Sequence, residues 1–403
     1  MIERTTYLRK LQSLCDKHLI KVITGIRRCG KSTLLSQFQE KLIASGINKT
    51  HIVSINFEQR EHSQYKTWQE IYDVIAQKLV ENENCYVFLD EVQLVPDFER
   101  LVDALFVTPN VDLYVTGANA YMLSSELATL LSGRYIAIHL LPLSFAEYAD
   151  GFKNERSFDR LFRQYINHSC FPEVVSFLQS APEMETEYLK SLYDTVVVKD
   201  IVRHNKMRKF DNVRTIIDFL FDSIGSIVSP NNIAETLSHN TAAKLSHNTV
   251  QKILRYLTES YLIYPVRQYN IKGKRILSSN YKYYVADLGL KNILQTNRYD
   301  ADLGHKLENV VYFELLRRGG EVYAGKGEHG EVDFVVKKYN GSIEYYQVAH
   351  TVNDEKTLNR EISSLTRIRD ANPKFLLTTD YDNAIIEGVQ KMNVIDWLLE
   401  NNN

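Results

Sequence analysis

Long apolar runs are missing from this sequence. No stretch of membrane-spanning length is free of charges, and the N-terminus has no apolar signal core. That excludes a membrane partner and leads to the expectation of a soluble, cytoplasmic chain. Cysteines are few: Cys15, Cys29, Cys85 and Cys170 are scattered, with no paired or metal-ligand spacing. A disulfide framework and a zinc module are thereby excluded, and free thiols in a reducing compartment are expected. Net charge is lacking as well, with 48 basic against 50 acidic residues, a formal balance of -2. No global field draws the chain to nucleic acid or membrane, so any basic patch must be local. Repeats are absent apart from one near-duplication, Leu237–Lys244 followed by Leu245–Lys252. Two copies make no solenoid and read as a lengthened loop or helix start.

What is present is an ordinary globular balance, 44% hydrophobic and 24% charged over 403 residues, enough for about two to four folding units. Residues 1–150 alternate short apolar runs with helix-like patterns. His18–Thr24, His51–Phe57, Cys85–Asp90 and Val111–Thr116 read as strands, and Ser32–Ala44 reads as a helix. Strands alternating with helices imply a mostly parallel sheet covered on both faces, which binds ligands at the carboxyl ends of its strands. Residues 151–204 read as amphipathic helices broken near Cys170-Phe-Pro172, a helical lid or linker. Residues 205–287 change character. Helices at Val213–Asp222, Ser229–Leu237 and His247–Ser260 precede strand-like Leu262–Gln268, the turn Lys272-Gly-Lys274 and strand-like Tyr281–Val285. Three helices and a hairpin are the order of a winged helix. Residues 288–403 read as helix (Leu303–Arg318), strands (Gly330–Val336 and Ile343–Val348), a helix capped by Asp354, and a strand at Lys374–Thr379.

The chemistry gathers at the strand ends. Gly25-Ile26-Arg27-Arg28-Cys29-Gly30-Lys31-Ser32, followed by Thr33, fits G-x-x-x-x-G-K-[ST] between an apolar strand and a helix. Backbone N–H groups of such a glycine turn converge on phosphates, aided by the helix amino end. Lys31 is then expected on the β- and γ-phosphates of ATP and Ser32 on Mg2+. Asp90-Glu91 closes another strand. Asp90 would hold magnesium and Glu91 would orient the attacking water. Thr116-Gly-Ala-Asn119 ends the fourth strand, so Asn119 or Thr116 is a candidate γ-phosphate sensor. The alternative is a simple turn. Arg134, after Ser132-Gly133, is a candidate for the arginine that neutralises transition-state charge, within one chain or across two in a homo-oligomer. Its alternative is a surface arginine.

These residues together resemble a large prokaryotic family of AAA+-like ATPases with a C-terminal domain of the DUF4143 type. The resemblance rests on Thr24–Thr33, Ile55–Glu58, Phe88–Val92, Thr116–Asn119, Ser132–Arg134, Leu141–Tyr148, Lys199-Asp200, Tyr284–Leu290 and Glu331–Phe334. It implies ATP binding and hydrolysis, and a C-terminal half made of a winged helix and a restriction-nuclease-like α/β domain. Nucleases of that fold use a helix Glu, a strand-end Asp and an acidic-x-Lys on the next strand. Glu308 and Asp333 match the first two. The third reads Gln347-Val-Ala349, so one carboxylate is replaced and the ammonium is missing. His350 and Lys337 lie at spacings that favour neither as a substitute. A nuclease-inactive interaction platform is the expectation.

Two local basic runs point to DNA. One holds Lys199, Arg203, Lys206, Arg208, Lys209 and Arg214. The other, Arg267, Lys272, Lys274, Arg275 and Lys282, is free of acids and sits on the hairpin, where a wing reaches phosphates. Ser246–Thr249 would open the recognition helix. The alternative is a solvated face on a protein-contact module. The whole chain therefore reads as an ATPase that couples nucleotide state to a DNA- or partner-binding C-terminal half. Two alternatives stay open, a nucleotide-gated protein switch without DNA and an ATP-licensed nuclease.

Overall fold

The computed structural model describes residues 2–59, 61, 65, 67–117, 133–197, 201, 210–240, 245–295, 303–328 and 330–400. The chain folds as two compact units, residues 1–142 with 259–261, and residues 143–258 with 262–403.

The first unit runs α1 (Thr5–Leu14), β1 (Ile20–Thr24), α2 (Lys31–Ala44), β2 (Ile52–Asn56), α3 (Trp68–Ala76), β3 (Cys85–Asp90), α4 (Phe98–Val107), β4 (Val111–Gly117) and β5 (Tyr135–His139). The strands form one sheet in the order β2-β3-β4-β1-β5, and every pair is parallel. The α/β class and all four expected strands are present, and β5 adds a fifth. β1 and β3 are buried along their whole length, as parallel strands covered on both faces must be. Ile20, Val22, Val87, Leu89 and Val115 pack with Ile75, Leu101 and Leu105 from α3 and α4 into a continuous core. Lys21 is the charged exception within β1. Its ammonium pairs with Asp112, which also accepts the Tyr114 hydroxyl proton at 2.8 Å, so the buried charge is compensated. The register aligns Asn56 with Asp90 and Thr24 with both Gly117 and His139. The carboxyl ends of all the strands therefore form one edge.

The second unit opens with helices α5 (Phe145–Gly151), α6 (Phe158–Asn167), α7 (Pro172–Ser180) and α8 (Met184–Asp194). A capping box of Ser144 and Glu147 starts α5. The expected break at Cys170-Phe171-Pro172 separates α6 from α7. It is fixed by Asp287, whose buried carboxylate accepts from Ser169 Oγ (2.9 Å), Cys170 N (2.8 Å) and Leu290 N (2.8 Å). Next come α9 (Phe210–Asp222), β6 (Ile227–Val228), α10 (Pro230–Asn240), α11 (His247–Glu259), β7 (Ile263–Asn270), β8 (Arg275–Val285) and α12 (Leu288–Leu294). The chain ends with α13 (Leu303–Arg318), β9 (Glu321–Lys326), β10 (Glu331–Lys337), β11 (Ile343–Val348), α14 (Glu355–Thr366), β12 (Lys374–Thr378), β13 (Ala384–Ile386), β14 (Val389–Asn393) and α15 (Val394–Leu399).

The three helices and hairpin expected at 205–287 are thus present. The hairpin does not stand free, however. β7 pairs in parallel with β9 through Gln268–Asn270 and Ala324–Lys326. One nine-stranded sheet, β13-β14-β12-β11-β10-β9-β7-β8-β6, therefore runs through both segments expected as separate domains. Strands β9, β13 and β14 and helices α12 and α15 add to the pattern expected for 288–403. Asp354 caps α14 as expected, accepting from Thr357 N at 2.8 Å. Lys199, Arg203, Lys206, Arg208 and Lys209 lie outside the described residues. Among the described residues no helix is long and apolar enough to cross a membrane.

Candidate nucleotide site

The loop between β1 and α2 owes its shape to two glycines. Gly25 lies at φ +151° where a Cβ would overlap the Leu140 carbonyl and stand 2.9 Å from Cys29 Sγ. Gly30 takes φ +100° immediately before α2, a left-handed turn that side chains rarely adopt. Ile26 and Cys29 are buried inside the loop, while Arg28 and Ser32 face outward. Lys31 opens α2 and folds back over its own loop. Its Nζ donates to the Gly25 carbonyl at 3.2 Å and lies 3.6 Å from Glu91 Oε1. Arg27 pairs with Glu58 at 3.0 Å, beyond the end of β2.

The acidic half stands at the end of β3. Strand order decides who serves it, because β4 lies between β1 and β3. Thr116, near the end of β4, reaches both carboxylate residues. Its Oγ1 donates to Asp90 Oδ1 at 2.5 Å and accepts from Glu91 N at 2.9 Å. On the other flank, Asn56 at the end of β2 donates from Nδ2 to Asp90 Oδ2 at 2.8 Å. The Ser32 hydroxyl also bonds to Asp90. Burial pushes the Asp90 carboxyl up, and the hydrogen bonds from Ser32 and Thr116 oppose that shift. Glu91 has a left-handed backbone at φ 56°, and Gln93 Nε2 donates to its Oε2 at 2.6 Å. Phosphates and magnesium fit this donor set. A buried ammonium faces the loop, and a hydroxyl and a carboxylate, both hard oxygen ligands, already meet at one edge.

Sequence reasoning foresaw Gly25, Gly30, Lys31, Ser32, Asp90 and Glu91, and the structure brings them together. Thr33 lies exposed beside Ser32 on α2. Asn119 and Ser132 lie outside the described residues. Thr116, on β4, stands beside the end of β3 and is bonded to both Asp90 and Glu91. Arg134 is not brought to this chain's own loop. It precedes β5, and its carbonyl accepts from Ile20 N at 2.9 Å, at the amino end of β1. About 13 Å of strand separates that end from the phosphate loop. There it pairs with Asp103 at 2.9 Å and stays half exposed. Asn56, Gln93 and His139 were missed. His139 ends β5 opposite Thr24, whose Oγ1 lies 3.4 Å from its Nδ1. Burial, then the charge of Lys31, lowers its pKa to about 4. The signal for Asn56 was a polar residue ending an apolar strand, which acquires meaning only once β2 is known to flank β3.

In the second unit, Glu308 on α13 and Asp333 on β10, the two carboxylates that the resemblance singled out, converge on one ammonium. The ammonium expected to be missing is nevertheless present, and this corrects that reading. Lys282 comes from the hairpin strand β8, and its Nζ lies 2.7 Å from Glu308 Oε1 and 3.4 Å from Asp333 Oδ1. Tyr284 donates to Glu308 Oε1 at 2.5 Å, and Val348 N to Asp333 Oδ2 at 2.9 Å. Burial and the Asp333 charge raise the Glu308 carboxyl. For Lys282, burial works to lower the pKa, but the two carboxylates outweigh it and keep the ammonium charged. Gln347, in the place of the expected carboxylate, uses its amide to bridge Asp333 N (3.3 Å) and Glu361 Oε2 (2.8 Å).

Comparison with known proteins agrees with the first unit and corrects the second. Residues 17–149 match the AAA domain family, and residues 159–301 match a domain of unknown function, DUF8612, rather than DUF4143. The chain is 37% identical over 406 residues to an uncharacterized protein of Haemophilus influenzae, covering 99% of each. It is 29% identical to an uncharacterized protein of Methanocaldococcus jannaschii over 94% of this chain and 85% of that one. Among solved structures, a Walker-type ATPase of Pyrococcus abyssi is similar in fold, with a TM-score of 0.50 and 16% identity over 73% of this chain and 96% of that one. The chain thus belongs, over its full length, to one family with the Haemophilus protein, and its first third is an AAA-type P-loop ATPase domain.

Proposed function

We propose that this protein hydrolyses ATP with magnesium and uses its nucleotide state to control DNA binding by the second unit. The observation that carries the first part is the meeting of Lys31, Ser32, Asp90 and Glu91 at one sheet edge, with Lys31 reaching Glu91 and the single hydroxyl of Thr116 joining Asp90 to Glu91. Lys31 binds the β- and γ-phosphates. Ser32 and Asp90 hold magnesium, which when bound neutralises charge on the phosphate oxygens. Glu91 orients and polarises the attacking water, and Gln93 and the Glu91–Thr116 bond set its position. Positioning of this kind is most of what phosphoryl transfer requires from a protein.

Two adjacent hairpin tips support the DNA reading. Asn270, Lys272, Gly273 and Arg275 from the β7–β8 turn face Lys326, Gly327 and Glu328 from the β9–β10 turn across a cleft of about 610 Å³. Lys274 is exposed on the same turn. Glu328 pairs with Lys272, leaving Lys274, Arg275 and Lys326 as the cations directed at phosphates. At α11, Ser246 Oγ accepts from Thr249 N at 3.2 Å, so Ser246 caps the helix and leaves His247 and Asn248 exposed for base edges. The alternative of an ATP-licensed nuclease is disfavoured by Lys282. Its ammonium occupies the space between the two carboxylates that a metal ion would need.

The test is ATP hydrolysis by the purified protein with magnesium, with and without duplex DNA over a range of salt. Lys31→Ala is expected to weaken nucleotide binding, whereas Glu91→Gln is expected to keep ATP but lose turnover. DNA is expected to stimulate the wild type, with an effect that falls steeply as salt rises. Normal turnover in both variants would overturn the ATPase assignment. Hydrolysis indifferent to DNA at every salt concentration would move the second unit to a protein partner.

A further inference from the structure

The segment before α1 contains a buried arginine that the phosphate-binding motif does not explain. Arg4 is only 2% exposed. Its Nη1 donates to the carbonyl of Cys29 at 3.1 Å, inside the phosphate loop. Its Nη2 donates to the carbonyl of Leu141 at 2.7 Å, just past β5. The guanidinium lies 5.0 Å from the ring centroid of Tyr7, and the Tyr7 hydroxyl accepts from Leu141 N at 3.2 Å. The backbone is secured as well. Arg4 N donates to Gln37 Oε1 at 3.4 Å, and Gln37 Nε2 donates to the Ile2 carbonyl at 2.8 Å, tying this segment to α2.

A guanidinium stays charged and carries five donors but no acceptor, so burying it is costly unless carbonyls or carboxylates receive those donors. Here both identified acceptors are carbonyls of loops at the nucleotide edge of the sheet. One belongs to the peptide joining Cys29 to Gly30. In a trans peptide the C=O and N–H point in opposite directions. A Cys29 carbonyl held on the Arg4 side therefore turns the Gly30 N–H away from Arg4. Helical α2 begins one residue later, so the same bond sets the path by which the loop enters the helix that carries Lys31 and Ser32. Cys29 itself is fully buried, and its Sγ lies close enough to Gly25 that a Cβ there would stand 2.9 Å from it.

We propose that Arg4 is a positioning residue for nucleotide binding, clamping the phosphate loop from behind so that the Cys29–Gly30 peptide is fixed before nucleotide arrives. The proposal rests on the reading of this loop as a phosphate site, but its central measurement does not need nucleotide. Loosening the loop exposes the Cys29 thiol, whereas Cys85, buried in β3, reports only general unfolding.

The full chain is compared as wild type, Arg4→Met, which keeps the bulk and loses the donors, and Arg4→Lys, which keeps the charge with different donor geometry. Iodoacetamide labelling of each cysteine is mapped on peptides, and ADP affinity is measured by calorimetry. In nucleotide-free Arg4→Met, Cys29 labelling should rise about tenfold or more while Cys85 stays protected, and ADP should bind about tenfold more weakly. Saturating ADP should restore Cys29 protection, and Arg4→Lys should fall between the two. Cys29 as protected in Arg4→Met as in the wild type would overturn the proposal. So would joint labelling of Cys29 and Cys85, which is what a merely structural arginine predicts. If Arg4→Met fails to fold, Arg4→Lys decides by the same selectivity of Cys29 over Cys85. If the wild type binds no ADP, the phosphate-site reading fails while the thiol measurement still judges the clamp.

Discussion

Thr116 shows how much a site can depend on one hydroxyl. A hydroxyl donates one proton and accepts on its lone pairs. Thr116 uses the proton on Asp90 and a lone pair on the Glu91 N–H. Thr116→Val keeps the shape but frees both partners, so the carboxylates lose their relative placement. Turnover should fall by about 10- to 100-fold, with nucleotide affinity within about threefold of wild type. Thr116→Ser should recover most of the loss, as kcat and Kd measured separately would reveal. A fall in affinity alone would remove Thr116 from the catalytic apparatus. His139 gives a prediction in pH. Its folded pKa lies near 4, below the ordinary value of 6.5. The folded protein therefore binds this proton more weakly than the unfolded chain does. The resulting stability is fully present above pH 6.5 and is lost as pH falls towards 4, by about 3 kcal/mol at most. Urea unfolding across that range should give a flatter acid limb for His139→Gln than for wild type, and identical limbs would refute the assignment. Lys31, Ser32 and Asp90 were legible in the sequence because their spacing along the chain is the motif. Asn56, Thr116 as a bridge, Gln93 and His139 were not, because their roles depend on which strands are neighbours.

At the scale of elements, strands with continuous apolar runs were readable and those without were not. β1 and β3 are buried at every position and announce themselves. β5 is only partly covered, and β13 is three residues long with an exposed centre, so neither carries a clear period. The merging of hairpin and α/β segment into one sheet was equally hidden. It rests on the three-residue pairing of β7 with β9 between strands distant in sequence. That merging explains Lys282, since an ammonium sought on the strand after Asp333 comes instead from the hairpin. Lys282 holds two carboxylates from two other elements, so removing it leaves buried charge unpaired. Lys282→Met should destabilise the protein by about 3–5 kcal/mol. Adding Glu308→Gln and Asp333→Asn should return a substantial part of that loss, because the uncompensated charges are then gone. Denaturant unfolding tests both. If the triple variant is no more stable than the single one, packing by the lysine stem would be the larger contribution.

At the scale of the whole molecule, the proposed phosphate site calls for a cation to meet charge developing on the γ-phosphate, and among the described residues Arg134 does not stand there in its own chain. Arg134 cannot serve its own chain, lying at the opposite end of β1 and β5. It is half exposed, its guanidinium lies 5.6 Å from the Phe106 ring centroid, and it pairs with Asp103. A surface-held arginine in that position is suited to reach a neighbouring copy in a homo-oligomer, where a head-to-tail interface sets one molecule's far edge against the next molecule's site. Arg134→Ala should then bind ATP normally and turn over slowly, by about 10³-fold or more. Mixing distinguishes this from a local defect. Arg134→Ala and Glu91→Gln are each inactive alone. In a mixed assembly, some Arg134→Ala chains present an intact Glu91 to a Glu91→Gln neighbour with an intact Arg134. Random assembly of equal amounts makes roughly a quarter of the interfaces competent. Turnover should therefore reappear on mixing two inactive proteins and disappear on dilution below the assembly range. No recovery at any concentration, with assembly verified by sedimentation, would confine Arg134 to its pairing with Asp103.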